Sequence, residues 1–125
     1  MTAREIKEIL HARKIAIVNE EKLSKDYSHA FASDLMSDVL AMIQTESEET
    51  VLITGLCNAQ AIRTAEMLDI DLIVFVRGKR LADDVVDLAE ESGINVVGTE
   101  YSMYEACGHL FAEGLGGINV GSNLT

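Results

Sequence analysis

Proline and tryptophan are absent from this sequence, and cysteine occurs only twice. Without proline the chain lacks the residue that most often stiffens linkers and stops helices, so nothing marks a boundary between two domains. Cys57 and Cys107 are far apart and form no C-x-x-C pair. This usage favours free thiols in a reducing compartment over a disulfide framework. We therefore expect a single cytoplasmic domain.

Long apolar runs and basic residues are also scarce. No apolar run approaches the roughly 20 residues that span a bilayer, and the charged N-terminus does not resemble a signal peptide. The chain has 10 Lys and Arg against 21 Asp and Glu, a formal net charge of −11. Such a charge repels phosphate backbones and anionic lipids. We expect neither a nucleic-acid nor a membrane partner, although a local group of cations could still bind a small anion.

The sequence lacks the motifs of common nucleotide- and metal-dependent enzymes. It contains no G-x-x-x-x-G-K-[ST] loop and no G-x-G-x-x-G, G-x-S-x-G or H-E-x-x-H. Its histidines, His11, His29 and His109, are widely separated and have no closely spaced companion ligands. We accordingly predict no catalytic residues, no metal site and no cofactor.

The sequence does contain a regular alternation of apolar strands and amphipathic helices. Three strand–helix units cover residues 51–113, with strands that begin at positions 51, 72 and 94. This spacing suits right-handed crossover connections in a parallel sheet. Before them, the pattern predicts a helix over 3–12, strands over 15–18 and 28–32, and a helix within 33–43. The predicted fold is α/β, a three-layer α/β/α arrangement around a mostly parallel central sheet.

Two segments are predicted to lie outside the regular elements. The charged stretch 19–26 is predicted to be a solvated loop. A single domain is expected over 1–113, followed by a glycine-rich tail over 114–125. That tail is expected to be mobile; alternatively, residues 118–120 pair at a sheet edge or with a partner.

The turns that follow the three parallel strands are the candidate ligand site, because ligands of open α/β sheets collect at the carboxyl ends of the strands. The first turn offers amides at a helix N-terminus, the second supplies three cations in four residues, and the third adds hydroxyl groups. The candidate ligand-binding residues are Gly55, Asn58, Arg77, Gly78, Lys79, Arg80 and Ser102. The plainer alternative is that they are helix caps, turn glycines and solvated cations.

Two further features invite a chemical interpretation. Cys57 lies near a helix start, where the helix dipole can lower the pKa of a thiol. The one histidine in this half of the chain, His109, falls two turns into the last helix, so a packed thiol is the simpler interpretation. Asp34 and Asp38 are one helical turn apart. Asp34 is positioned to cap its helix, and the pair could instead recruit a cation or a partner's basic residues.

The last predicted helix is apolar around more than one stripe. A helix with so broad an apolar surface is typical of burial against another subunit. We therefore predict a homodimer. The candidate interface residues are Met103, Tyr104, Leu110 and Phe111.

The segments SDLMSDVLAMI, VLITG, DIDLIVFVRGK and GINVVGTEYSMYEACGHL, in this order, resemble the DRTGG domain family. The resemblance covers residues 3–111, and such domains occur alone, beside CBS modules and within some phosphotransacetylases. The HPr kinase N-terminal domain is similar in fold, but the kinase's phosphate-binding loop is missing here. Residues 55–58 and 76–78 depart from the family's Asp-Arg-Thr and Gly-Gly segments. The resemblance implies a three-layer α/β domain, usually dimeric, with a regulatory or sensory role.

We therefore expect a non-enzymatic regulatory or sensory module, an acidic homodimer that binds a small anionic metabolite or nucleotide at the strand-end turns. One alternative is a protein-interaction or scaffold dimer that binds no ligand. The other is a thiol-dependent enzyme that uses Cys57.

Overall fold

The computed structural model describes residues 1–43 and 47–118. The helices are α1 (Ala3–Ile9), α2 (Met36–Met42), α3 (Ala59–Met67), α4 (Asp83–Ser92) and α5 (Met103–Ala112). The strands are β1 (Arg13–Ala16), β2 (His29–Ala32), β3 (Thr50–Thr54), β4 (Leu72–Phe75), β5 (Asn95–Gly98) and β6 (Gly116–Gly117). Short 3-10 helices occupy Glu20–Ser24 and Ser47–Glu49. No described helix has the length and apolarity needed to cross a membrane.

The six strands form one sheet in the order β1-β5-β4-β3-β2-β6, in which the pairing of β1 with β5 is antiparallel and the other pairings are parallel. Because β2 to β5 are neighbours in chain order, right-handed crossovers place α2, α3 and α4 on one face. The contacts of α3 with both α2 and α4 agree with this placement. After β5 the chain passes to the other face, where α5 contacts α1 and β3. The predicted three-layer α/β/α fold is confirmed.

Side chains of the central strands alternate between two apolar cores, as the two-residue repeat of a strand requires. Leu52 and Ile73 point towards α2, α3 and α4, whereas Val51 and Val74 point towards α1 and α5. Every residue of β3, β4 and β5 is buried. Burial on both faces explains why these strands are nearly continuous apolar runs in the sequence.

Local side-chain chemistry fixes several helix ends. Thr2 Oγ1 accepts a hydrogen bond from the Glu5 amide at 3.1 Å, and Glu5 accepts one from the Thr2 amide at 3.0 Å, which completes a capping box. Ser102 and Glu105 make the same reciprocal pair at the start of α5. Gly93 ends α4 with φ 72°, a left-handed conformation that glycine adopts without a Cβ penalty.

Two predictions in the N-terminal third need correction. Residues 19–26 are not simply a solvated loop, because they include a 3-10 helix whose Leu23 is buried. The first strand lies two residues earlier than predicted, at Arg13–Ala16. Beyond the end of this strand, the backbone amides of Val18 and Asn19 donate to the side-chain oxygen of the buried Asn95, at 2.8 and 3.0 Å, rather than to a neighbouring strand. A side chain distant in sequence therefore ends this strand, which local pattern does not reveal.

The described part of the predicted C-terminal tail packs on the domain. Leu115 is buried, and Gly116–Gly117 pair in parallel with the start of β2. The chain thus adds a short strand at the sheet edge before residue 118. The rest of the predicted tail, residues 119–125, lies outside the described residues, as does the stretch 44–46.

A buried ionic cluster joins the N-terminal segment to the start of β4. Asp71 accepts hydrogen bonds from the Tyr27 hydroxyl at 2.5 Å and from Lys25 Nζ at 2.8 Å, and Lys22 Nζ lies 2.9 Å from the same carboxylate. Burial tends to raise the pKa of Asp71, but the hydrogen bonds from Lys25, Tyr27 and Lys22 outweigh it and hold the pKa below its ordinary value. Burial, and then the hydrogen bond to Asp71, raise the pKa of Tyr27.

The folded state therefore favours the ionised Asp71, and its contribution to stability is lost as pH falls below the ordinary carboxyl pKa of about 4. We predict that Asp71→Asn lowers the free energy of unfolding by about 2 kcal/mol at pH 7, because hydrogen bonds to a charged group are lost. Urea denaturation should show this deficit unchanged at pH 6 and smaller at pH 3. Asp69→Asn, at an exposed neighbouring position, is the control. A deficit that does not shrink at pH 3 would contradict the assignment.

Candidate functional site

The turns after β3 and β4 meet at the carboxyl edge of the sheet. Arg77 Nη2 and Lys79 Nζ reach across from the second turn and donate to the Gly55 carbonyl oxygen at 3.2 and 2.9 Å. Two cations thus share one neutral acceptor. Within residues 1–43 and 47–118, Lys79 pairs with no carboxylate. Because the carbonyl is neutral, it does not compensate the charge of Lys79.

A third cation reaches the same edge from β1. Arg13 Nη2 donates to the Lys79 carbonyl at 3.1 Å, and its Nη1 lies 3.7 Å from Glu100. Arg13 is not among the ligand residues predicted from the sequence, because its position at this edge depends on the strand order. Only the antiparallel pairing of β1 with β5, which sets Arg13 opposite Gly98, brings the first residue of β1 to the end where the parallel strands finish.

Asp34 completes the group from the segment between β2 and α2. Its Oδ1 accepts hydrogen bonds from the Gly55 amide at 2.6 Å and from Thr54 Oγ1 at 3.3 Å, and its Oδ2 lies 3.5 Å from Arg77 Nη2. The prediction that Asp34 caps α2 is wrong, because Leu35 is the N-cap residue and makes no side-chain cap. A hydrogen bond across the sheet edge replaces the local one. We call Arg13, Asp34, Gly55, Arg77 and Lys79 the strand-end cluster.

The turn after β4 has an unusual backbone. Arg77 and Gly78 have φ values of 69° and 63°, in the left-handed region. Their amides donate to the carbonyls of Tyr101 and Thr99 at 2.8 and 2.9 Å, which fixes the turn against the segment after β5. A Cβ at residue 78 would collide with the Glu100 carboxylate. The exposed Glu100 side chain can move aside, so glycine is favoured at position 78 by its positive φ rather than by space. Arg77 holds a conformation that costs a side-chain-bearing residue roughly 1 kcal/mol.

Four of the seven predicted ligand residues come together at this edge, namely Gly55, Arg77, Gly78 and Lys79. The other three do not join them through any described contact. Asn58 caps α3 by accepting a hydrogen bond from the Ala61 amide at 3.3 Å. Ser102 caps α5 through its reciprocal pair with Glu105. Arg80 is exposed, and among the described residues it makes no hydrogen bond or ion pair.

The environment of Cys57 does not favour a nucleophilic thiolate. Burial raises the pKa of its thiol, and the positive charges of Lys79 and Arg77 oppose this shift without overcoming it. A protonated thiol is a weak nucleophile. His109, the histidine considered as a base, packs against Tyr101 with ring centroids 4.6 Å apart. In the described part of the chain, no three His, Cys, Asp or Glu side chains are grouped to hold a metal ion.

An apolar groove of about 330 Å³ lies between α5 and the sheet edge formed by β2 and β6. Tyr104 and Phe111 border it, with 88% and 74% of their surfaces exposed. Leu110 was predicted to be part of an exposed interface, but it is only 1% exposed and packs in the core between α5 and α1. The solvent-facing apolar surface of α5 is therefore narrower than the sequence suggests.

A larger, polar cavity of about 440 Å³ lies at the opposite, amino-terminal edge of the sheet, beside the Asp71 cluster. Lys22 and Lys25 line it, but both bind Asp71. Glu66 and Asp69 add further negative charge to its wall. Its cations are already compensated, so it is a poorer place for an anion than the strand-end cluster.

No protein-family model and no curated protein matches this sequence. Among solved structures, the chain is similar to the CBS and DRTGG domains of the regulatory region of a Clostridium perfringens pyrophosphatase, crystallised with its activator diadenosine tetraphosphate. The TM-score is 0.64 at 20% identity, over 84% of this chain and 44% of that one. This chain thus spans less than half the length of its structural neighbour. The likeness shows a shared fold, in agreement with the fold that the sequence resemblance implies.

The left-handed backbone at Arg77 gives a direct test of the turn. We predict that Arg77→Gly is more stable than Arg77→Ala by about 1 kcal/mol, because both lose the guanidinium but only glycine adopts φ 69° without strain. Urea denaturation of both variants measures the difference. At Arg80, whose φ is not positive, the order should be reversed or level. Equal stability of the two Arg77 variants would contradict the turn geometry.

Proposed function

We propose that this chain is a non-enzymatic regulatory module that binds a small anionic ligand, a metabolite or nucleotide with phosphate or carboxylate groups, at the strand-end cluster. The observation that carries the proposal is that Arg77 and Lys79 both donate to one neutral carbonyl, Gly55 O, in a chain of net charge −11. Lys79 pairs with no carboxylate among the described residues, and the carboxylate contact of Arg77, with Asp34 at 3.5 Å, is half exposed. Both cations are therefore open to an incoming anion.

The physics of the exchange favours such a ligand. A hydrogen bond from a cation to a charged oxygen is roughly twice as strong as one to a neutral acceptor. Arg77 is about half exposed, so its guanidinium can turn from Gly55 O to a ligand without being removed from a packed core. Arg13 lies beside Lys79 and adds a third positive charge. The cluster also lies at the carboxyl ends of parallel strands, where open α/β sheets hold their ligands.

The structural neighbour supports the class of function. The regulatory region of the Clostridium perfringens pyrophosphatase binds diadenosine tetraphosphate, an anionic nucleotide, as an activator. A phosphate-bearing nucleotide is therefore a sensible first class of ligand for this chain. Burial raises the pKa of Cys57, which weighs against the thiol-enzyme alternative. Placement in the cytoplasm belongs to the same proposal and agrees with the two free cysteines.

We also propose that the module is a homodimer that buries the apolar groove beside α5. Tyr104 and Phe111 are large side chains that residues 1–43 and 47–118 leave uncovered. Exposed side chains of this size beside a groove are typical of protein interfaces. The same surface would serve the alternative function, a scaffold dimer that docks a partner protein and binds no ligand.

Thermal unfolding with a panel of nucleotides, diadenosine tetraphosphate, acyl-CoAs and phosphorylated metabolites tests the ligand proposal. At about 100 times its dissociation constant, a true ligand should stabilise the fold by roughly 3 kcal/mol and raise the melting temperature by several degrees. Arg77→Ala and Lys79→Ala should abolish the shift because each removes a cation of the cluster. Arg4→Ala makes the same charge change at the start of α1 and should retain it.

If no compound in the panel shifts the melting temperature, the ligand proposal fails and the scaffold alternative gains. A shift that survives both cluster variants would place the ligand elsewhere on the molecule. A shift that Arg4→Ala also abolishes would indicate a general charge effect.

Light scattering coupled to size-exclusion chromatography tests the dimer. We predict a mass of twice the 13.6 kDa chain at micromolar concentration. The double variant Tyr104→Ser and Phe111→Ser should be monomeric, because it removes the large apolar side chains beside the groove. Met67→Ser replaces a side chain of α3 that is 70% exposed and should leave the dimer intact. A monomeric parent protein would contradict the proposal.

A further inference from the structure

The strand-end cluster already holds one anion of its own. Asp34 Oδ1 takes the hydrogen bond of the Gly55 amide at 2.6 Å, and Asp34 Oδ2 faces the Arg77 guanidinium at 3.5 Å. A backbone amide at a strand end together with a guanidinium is the kind of donor set that binds a phosphate or carboxylate ligand. The carboxylate of Asp34 therefore occupies donors that the proposed ligand would use.

We propose that Asp34 is a displaceable internal anion, which competes with the ligand for Gly55 N and Arg77 and so sets the affinity of the site. This inference rests on the proposed function. On binding, the phosphate or carboxylate of the ligand takes the two donors and the Asp34 side chain leaves them. No covalent bond changes, and the exchange replaces one anion by another at the same donors.

The contacts of Asp34 suit a group that leaves. Asp34 and Arg77 have 51% and 46% of their side chains exposed, so water screens their attraction. The 3.5 Å separation is at the outer limit of a hydrogen bond. The shortest hydrogen bond of Asp34 comes from the Gly55 amide. A ligand oxygen could accept that hydrogen bond equally well.

Calorimetric titration with inorganic tripolyphosphate, at low ionic strength, tests the inference on the full chain. Asp34→Asn keeps an acceptor for Gly55 N but removes the charge, and Asp34→Ala vacates the donors altogether. We expect the Asp34→Asn variant to bind tripolyphosphate about tenfold more tightly than the parent protein, because a nearby like charge is removed. The Asp34→Ala variant should bind it more tightly still, because the amide of Gly55 is then free for the ligand.

The control is Asp38→Asn, one turn further along on α2 and exposed. It removes the same charge without touching the donors, so it should change affinity by less than twofold. An equal gain for Asp38→Asn would reduce the effect to net charge and overturn the inference. If the Asp34→Ala variant does not fold, the comparison of Asp34→Asn with Asp38→Asn still distinguishes a specific effect of Asp34 from an effect of net charge.

The remaining outcomes separate this inference from the proposed function. If the parent binds tripolyphosphate and both Asp34 variants bind no better, the inference is overturned while the ligand site stands. If only the Asp34 variants bind, Asp34 is confirmed as the occupant that excludes the anion. If neither the parent nor any variant binds, the proposed anion site and the inference fall together.

Discussion

Burial of the central strands on both faces is the constraint on which the rest of this molecule depends. A parallel sheet whose backbone and side chains are removed from water must be covered on both sides. The three crossover helices cover one face, so the second layer comes from the two ends of the chain, with α1 before β1 and α5 after β5. That requirement explains why the N-terminal helix and the last helix, far apart in sequence, pack beside one another. Because β2 to β5 are parallel, their carboxyl ends lie at one edge of the sheet, and the turns that follow them meet there.

The two edges of the sheet use cations in opposite ways. At the amino-terminal edge, Lys22 and Lys25 surround Asp71, whose side chain is only 11% exposed, and the charges compensate one another within the fold. At the carboxyl edge, Arg77 and Lys79 are directed to a neutral carbonyl. The first arrangement holds segments of the chain together, and both of its lysines are paired with a carboxylate. In the second, Lys79 has no carboxylate partner among the described residues, and the contact of Arg77 with Asp34 is long and half exposed.

Sequence pattern predicted what local chemistry determines. The strand–helix repeat after residue 50, the caps at Ser102 and Asn58, and the glycine end of α4 all follow from periodicity and short-range hydrogen bonds. What the pattern could not supply are contacts made by the strand order. Arg13 enters the cluster only through the antiparallel edge pairing, and Asp34 turns from its own helix to a strand distant in sequence. A charged segment, residues 19–26, was predicted to be solvated because its partner, Asp71, is about fifty residues away.

The residues that break local rules are the ones that assemble the cluster. Gly55 has no Cβ, which leaves room for the Arg77 guanidinium beside it. Arg77 itself adopts a left-handed backbone that disfavours most residues with a Cβ. Strain of this kind persists only when surrounding contacts fix the geometry. Here the amide bonds of residues 77 and 78 to the segment after β5 do so. A sequence optimised for the turn alone would place glycine or asparagine at position 77, since both tolerate this conformation. The arginine at this position instead carries a guanidinium that donates to Gly55 O and faces Asp34, so the cost of the turn is offset by contacts that join three segments at the sheet edge.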